Sequence, residues 1–344
     1  MVVRILLVLV TCLASLPVAA EEIVRTHHLG AAHAEPLKQK RVFVGWLDEN
    51  TLVYSTNGRV VCYDIEGKRE KWVIPDTYPC ALSVEPEAKR VAIVQRERAL
   101  WEKKNSLPDC KNWLAILDAS NGKVLSQLRE TQLRRQVPLS VPRDLDFTSS
   151  GVVACGLSDK FATVVGPELS GNVRRIKIES FTTEMTVSPD GKQLTTVSNR
   201  NYVCVQDIAT GEKTYSLGDP KANLPAIDAP FVSHAQFDGK QVLIHTVDSG
   251  WGNGQVHVTD ITNGKAARFN ARNGHIEMAV DFKRTQIALT GTSKHLTILR
   301  FDGTEVAELK NATKARNDCV AFSPAGKRIA VGCYDRTVSV FEIR

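Results

Sequence analysis

An all-β chain built from a repeated four-stranded unit follows from three features of the 344-residue sequence. Short runs of apolar or alternating residues recur along it, each bounded by Gly, Pro, Asn or Asp, which is the pattern of strands and tight turns. Two segments are near copies, VAFSPAGKRIAVGCYDRTVSVFEIR at 320–344 and MTVSPDGKQLTTVSNRNYVCVQDIATGEKTYSL at 185–217. Glycines that follow a strand, Gly67, Gly122, Gly171, Gly211, Gly264 and Gly303, recur 39 to 55 residues apart. The shorter spacings match the roughly 40–45 residues of a four-stranded propeller blade, and the longer ones imply insertions. Six full repeats and a truncated seventh predict a seven-bladed β-propeller with four antiparallel strands per blade.

Each repeat reads as an apolar strand, a tight turn, a second apolar strand, a polar turn and a third alternating strand. A turn then leads into a fourth. In Ser188-Pro189-Asp190-Gly191-Lys192, Pro fixes φ for the turn and Gly accepts the positive φ that follows. The third strands and their turns run VVCYDIEGKREKWVI, LAILDASNGKVLSQL, ATVVGPELSGNVRRIKI, VCVQDIATGEKTYSL, VHVTDITNGKAARFN and LTILRFDGTEVAEL. The seventh repeat reaches Arg344 with three strands. Residues 22–29, EIVRTHHL, have no other assignment and are expected to supply the fourth, closing the ring and removing an exposed sheet edge.

Residues 1–20 carry the marks of a secretory signal peptide: Arg4, an apolar run from Ile5 to Leu16, and Val18-Ala19-Ala20 as a small-residue cleavage site. Cleavage after Ala20 leaves Glu21 first, so 1–20 is read as leader and 21–344 as one propeller domain, periplasmic or secreted. No other run approaches the roughly 18 apolar residues of a transmembrane helix, so none is expected in the mature chain. The net charge of +6 falls by one with the loss of Arg4. That mild excess is unlike a nucleic-acid-binding domain. Seven of the eight cysteines follow the leader, at positions 62, 80, 110, 155, 204, 319 and 333, with no C-x-x-C spacing. Most sit in strand-like runs and read as small buried apolar residues. Two bridges are conceivable, Cys80–Cys110 or Cys319–Cys333.

On these repeats the chain resembles the WD-repeat (WD40-type) propeller family, as an exported, bacterial-type member with degraded repeats. Gly274-His275 is the one Gly-His dipeptide, Asp335 matches the tight-turn Asp, and the name-giving Trp is absent from its position near the end of every third strand. The resemblance implies that the family's His–Ser–Asp–Trp network is missing from most blades, with apolar packing in its place. It also implies that second-to-third-strand and blade-to-blade connections share one face, the top. The long connections, about 30–41, 95–112, 129–143, 218–230 and 247–254, all fall into these classes. Insertions confined to one face mark a binding face. Residues 95–143 hold ten Lys or Arg against five acids. Arg96, Arg98, Trp101, Lys103, Lys104, Arg134, Arg135 and Trp251 are therefore the expected interaction residues, since aromatic and Arg side chains anchor interfaces. Their expected partner is an acidic protein or an anionic glycan.

No metalloprotease, nucleophile-elbow, Walker or EF-hand motif appears, so neither catalytic residues nor a cofactor nor a metal are assigned. The glycine-rich SGWGNG at 249–254 precedes a strand and lacks the helix N-terminus that holds phosphate. His245 and His257, on successive strands, are spaced so that they would face each other, whereas His27 and His28 must point to opposite faces. Asp64-Ile-Glu-Gly67-Lys68 with Trp72, and Asp118-Ala-Ser-Asn-Gly122-Lys123, are similar to the repeat of quinoprotein dehydrogenase propellers, whose tryptophans dock neighbouring blades. The reading is a non-catalytic binding scaffold. The alternative is a quinoprotein-like oxidoreductase or metal-dependent hydrolase with its site at the central channel.

Overall fold

The computed structural model describes residues 21–30, 42–75, 77, 79–96, 112–129, 142–156, 160–166, 168–169, 173–179, 182–198, 201–218, 231–247, 254–271 and 274–344. They form seven four-stranded antiparallel sheets. The first strand, β1 (Ile23–Leu29), belongs to the last blade. Blade 1 comprises β2 (Val44–Trp46), β3 (Thr51–Thr56), β4 (Arg59–Asp64) and β5 (Arg69–Ile74). Blade 2 comprises β6 (Pro79–Glu85), β7 (Arg90–Arg96), β8 (Asn112–Asp118) and β9 (Val124–Arg129). Blade 3 follows with β10 (Pro142–Thr148), β11 (Gly151–Gly156), β12 (Phe161–Val165) and β13 (Arg174–Lys177). Blade 4 has β14 (Thr182–Val187), β15 (Gln193–Ser198), β16 (Val203–Asp207) and β17 (Lys213–Leu217). Blade 5 has β18 (Phe231–Phe237), β19 (Gln241–Val247), β20 (Gly254–Asp260) and β21 (Ala266–Ala271). Blade 6 has β22 (His275–Asp281), β23 (Gln286–Gly291), β24 (Leu296–Arg300) and β25 (Glu305–Leu309). Blade 7 is β26 (Asn317–Phe322), β27 (Arg328–Cys333), β28 (Val338–Ile343) and then β1.

Burial explains why the strand sequences differ by rank. Second strands such as TLVYST (β3) and QIALTG (β23) are buried at every position, because neighbouring blades cover both faces. Fourth strands such as KTYSL (β17) lie at the rim and are largely exposed and polar. The first strands of successive blades pack against one another around the ring, so they are innermost.

The apolar core is not one cluster but seven, and each spans two blades. Leu52, Tyr54 and Val61 of blade 1 meet Leu29, Ala330, Val338 and Val340 of blade 7. Ala288, Leu296 and Ile298 of blade 6 meet Ile329, Val331 and Phe341 of blade 7. Burial of a large apolar side chain stabilises by about 1.5–3 kcal/mol, so the blade interfaces, not single blades, hold most of the stability. Asp335 does cap its tight turn, accepting hydrogen bonds at Oδ1 from the Thr337 amide and hydroxyl.

Polar contacts add direction to these interfaces. Trp72 of β5 donates its Nε1–H to the Ala119 carbonyl in the turn of blade 2, at 2.7 Å. Its ring lies over Gly122, where an added Cβ would sit 2.9 Å from it. Gly122 also has φ +73°, so the position admits glycine for two reasons. In blade 5, Phe269 covers Gly303 of blade 6 in the same manner. Blade-to-blade docking by an aromatic residue is therefore present, as the Trp72 motif implies, and it is a feature of packing.

The ring closes as expected. Ile23 pairs with Ile343 and Leu29 with Val338, with a bulge at Thr26. Glu22 and Arg344 exchange backbone hydrogen bonds of 2.8 and 2.9 Å, and the Glu21 carboxylate reaches Arg284 of blade 6 at 3.1 Å. At the junction with blade 1, Trp46 donates to the Ala321 carbonyl, and Glu49 accepts from Ser323 and from the Ala325 amide. His27 and His28 pair with Val340 and Ser339, and so occupy opposite faces.

Deleting residues 22–29 is expected to expose β28 as an unpaired edge. The thermal midpoint should fall and oligomers should appear in light scattering, and an equally stable monomeric variant would refute the closing role. Trp72→Phe is expected to cost about 1 kcal/mol through the lost hydrogen bond. Trp72→Ala should cost about 3–5 kcal/mol through the cavity, with urea unfolding as the measurement.

Candidate functional site

Two places on a ring of this kind offer a site: the face from which long connections leave, and the central axis. Alternation of strand direction puts every second-to-third-strand and blade-to-blade connection at one end of the sheets. Four connections exceed ten residues, at 30–43, 97–111, 130–141 and 218–230, and all four are anchored at that end. The fifth expected insertion shrinks to 248–253, because β19 and β20 extend through its flanks. At the opposite end the turns are mostly two to five residues, and the longest is 166–173 in blade 3. Blade 3 is thus the exception to a face of tight turns.

Of the expected interaction residues, Arg98, Trp101, Lys103, Lys104, Arg134, Arg135 and Trp251 lie outside the described residues. Arg96 closes β7 by backbone pairing with Asn112, and its side chain is likewise outside them. The strand framework therefore locates the anchors of the basic segments on one face and leaves their geometry open.

The inner strands carry a feature that was not singled out from sequence. In β6, β10, β14, β18, β22 and β26 the register slips by one residue near the strand start. A bulge of this kind re-aims the next side chain. The residues just past it are Ala81, Asp144, Glu184, His234, Glu277 and Cys319, one from each of blades 2 to 7. Blades 3 to 6 contribute titratable polar groups there, and blades 7 and 2 a thiol and a methyl. Across this arc the His234 imidazole stands 2.5 Å from Glu184 Oε1 through Nδ1 and 3.4 Å from Glu277 Oε2 through Nε2. Burial disfavours a charged imidazole, but the two carboxylates outweigh it and hold the His234 pKa well above the ordinary histidine value. Burial, with Glu277 and Asp318 nearby, pushes the Cys319 thiol well up from its ordinary value.

Two residues further along lies Asp146, whose carboxylate joins three blades. Oδ1 accepts from the Ser83 hydroxyl of blade 2 at 2.8 Å and from the Phe147 amide at 2.9 Å. Oδ2 accepts from the Val187 amide of blade 4 at 2.9 Å. Burial raises its pKa, and these three donors act against the rise.

Other expectations are corrected. His245 pairs with Val256, and His257 pairs with Ile244, so the two histidines lie on opposite faces of the blade and do not face each other. His245 is fully buried, with Nδ1 2.9 Å from Ser233 Oγ, and that hydroxyl also lies 3.1 Å from the His245 carbonyl. Cys319 pairs with Gly332, and Cys333 pairs with Asn317, so these sulfurs also occupy opposite faces, and both are thiols. The alternative Cys80–Cys110 bridge falls on Cys110, outside the described residues. Among the described residues no helix is long and apolar enough to cross a membrane.

No family model and no curated protein matches this chain. Among solved structures, the β-propeller domain of Myceliophteria thermophila Cps50 (Swd1) is similar, with a TM-score of 0.67 over 94% of this chain and 100% of that domain. This chain shares that propeller's fold. Identity over the match is 12%, so the likeness is one of backbone architecture, and function has to be argued from sites.

Asp146→Asn is expected to destabilise by about 1–3 kcal/mol. Whichever way the amide is turned, its NH2 faces a backbone N–H and leaves that donor unpaired. Denaturant unfolding of the two proteins side by side measures the difference, and equal midpoints would show that the carboxylate does not bridge blades.

Proposed function

We propose that this chain is an exported, WD-repeat-type scaffold that binds a partner protein, without catalysis, through the face carrying the long connections. The observation that carries the reading is the asymmetry of loop length. The four longest connections all spring from one end of the sheets, and two of them, 97–111 and 130–141, flank strands of blade 2 and hold six of the ten Lys or Arg of residues 95–143. Rigid scaffolds that vary their loops on one face use that face for recognition. The likeness to the Cps50 (Swd1) propeller domain supports the scaffold and says nothing of the partner. An acidic protein fits the charge of this segment, and an anionic glycan is the competing occupant.

Charges of this kind act over about 8 Å at physiological salt, mainly on the rate of encounter. A variant carrying K103E, K104E, R134E and R135E is expected to associate more slowly with its captured partner and to show a flatter salt dependence. Stability should stay within about 0.5 kcal/mol, as for most surface changes. The measurement is affinity capture from the native envelope, followed by association kinetics at low and high salt. The same partners with the same salt response in both proteins would refute the basic face as the binding surface.

The channel-centred enzyme alternative has one observation in its favour, the titratable arc of blades 3 to 6. Within that arc each nitrogen of His234 faces a carboxylate. A ring so engaged is placed to hold charge between strands.

A further inference from the structure

We propose that His234 is a proton-dependent staple that holds blades 4, 5 and 6 together at the central axis. Glu184 stands on β14 of blade 4, His234 on β18 of blade 5 and Glu277 on β22 of blade 6, so one imidazole spans three consecutive sheets. The three side chains are largely sheltered, with exposures of 16%, 17% and 22%. Each follows the bulge of its strand, so the same backbone irregularity aims all three at one level.

Between two ionised carboxylates the geometry calls for the charged ring. A neutral imidazole has one N–H, and its other nitrogen is a lone pair that a carboxylate repels; only the imidazolium donates on both sides. It also supplies the positive charge that separates two carboxylates. The elements packed against β18 carry these other titratable groups. From β19, His245 stacks on His234 with ring centres 6.3 Å apart. β15 contributes no titratable side chain. From β16 come Cys204, whose thiol burial pushes up, and Asp207 at the far strand end, tied to Thr210 and Gln193. Behind Glu277 lie Asp318 and the Cys319 thiol on β26.

The sign of the pH effect follows. The folded protein binds the His234 proton more tightly than the unfolded chain does. The contribution to stability is therefore complete below the ordinary histidine pKa of about 6.5 and is lost as pH rises through the higher folded-state value. A staple of this type leaves the ring firm in neutral and mildly acidic surroundings and loosens one arc of it in alkaline ones.

The test uses the whole mature chain. Nitrogen NMR of the histidine rings near pH 7 is expected to show both nitrogens of His234 protonated. His27, His28 and His257, whose pKa values burial lowers, should titrate at lower pH. His234→Gln keeps a polar donor of similar size and removes the charge. Its thermal midpoint should lie below that of the parent at neutral pH, and the gap should close as pH rises through the measured His234 transition. A neutral His234 ring near pH 7, or a gap of constant size across the range, overturns the proposal. Should H234Q fail to fold, E277Q serves instead. Loss of the second carboxylate should move the His234 transition to lower pH, and an unmoved transition overturns the proposal equally.

Discussion

Apolar surface buried between blades, and not within them, is the condition on which the rest of this molecule depends. A four-stranded sheet has two faces and no interior, so Ile93 or Leu289 is shielded from water only when the adjacent sheet is in place. Every one of the seven apolar clusters joins two blades. A chain arranged in this way cannot remain open, because an end blade would present a hydrophobic face and an unpaired edge. The pairing of β1 with β28, which brings together residues more than 300 positions apart, is the step that satisfies the last interface. Its register is secured at both ends, by Glu22 with Arg344 and by Leu29 with Val338.

That closed scaffold determines where polar groups are tolerated. At the rim they face water. At the axis seven inner strands converge, and each polar side chain there needs a partner on a neighbouring blade. Asp146 takes donors from blades 2 and 4, and Glu184, His234 and Glu277 share one bridge across three blades. These contacts cost desolvation and return geometric definition, since each has a single arrangement that satisfies it.

Much of the architecture was legible in residues 185–217 and 320–344 alone, because strand period and turn chemistry are local properties. The turn glycines reported blade number, and the missing fourth strand of the last repeat identified EIVRTHHL as its replacement. The inner-strand arc was legible too, in a column that local reading passes over. ALSVEP, DLDFTS, EMTVSP, HAQFDG, EMAVDF and CVAFSP align on their turns, and their first residues are the six that follow the bulges. A polar residue at the head of an apolar strand looks like a strand end until the repeats are stacked.

Pairing across space was beyond that reading. His245 and His257 look symmetric about Trp251, yet a one-residue offset in register sends them to opposite faces, and Cys319 and Cys333 are separated by the same parity. Trp72 could be read as a docking residue, but its acceptor, the Ala119 carbonyl, is a fact of how blade 2 is inclined against blade 1. The sequence by itself determined the number of blades, the tight turns and the need for a closing strand, because period and turn residues act within a few positions of the chain. Which side chains meet at the axis, and that one imidazole bridges two carboxylates from separate blades, was decided only when seven sheets were brought round to a common centre.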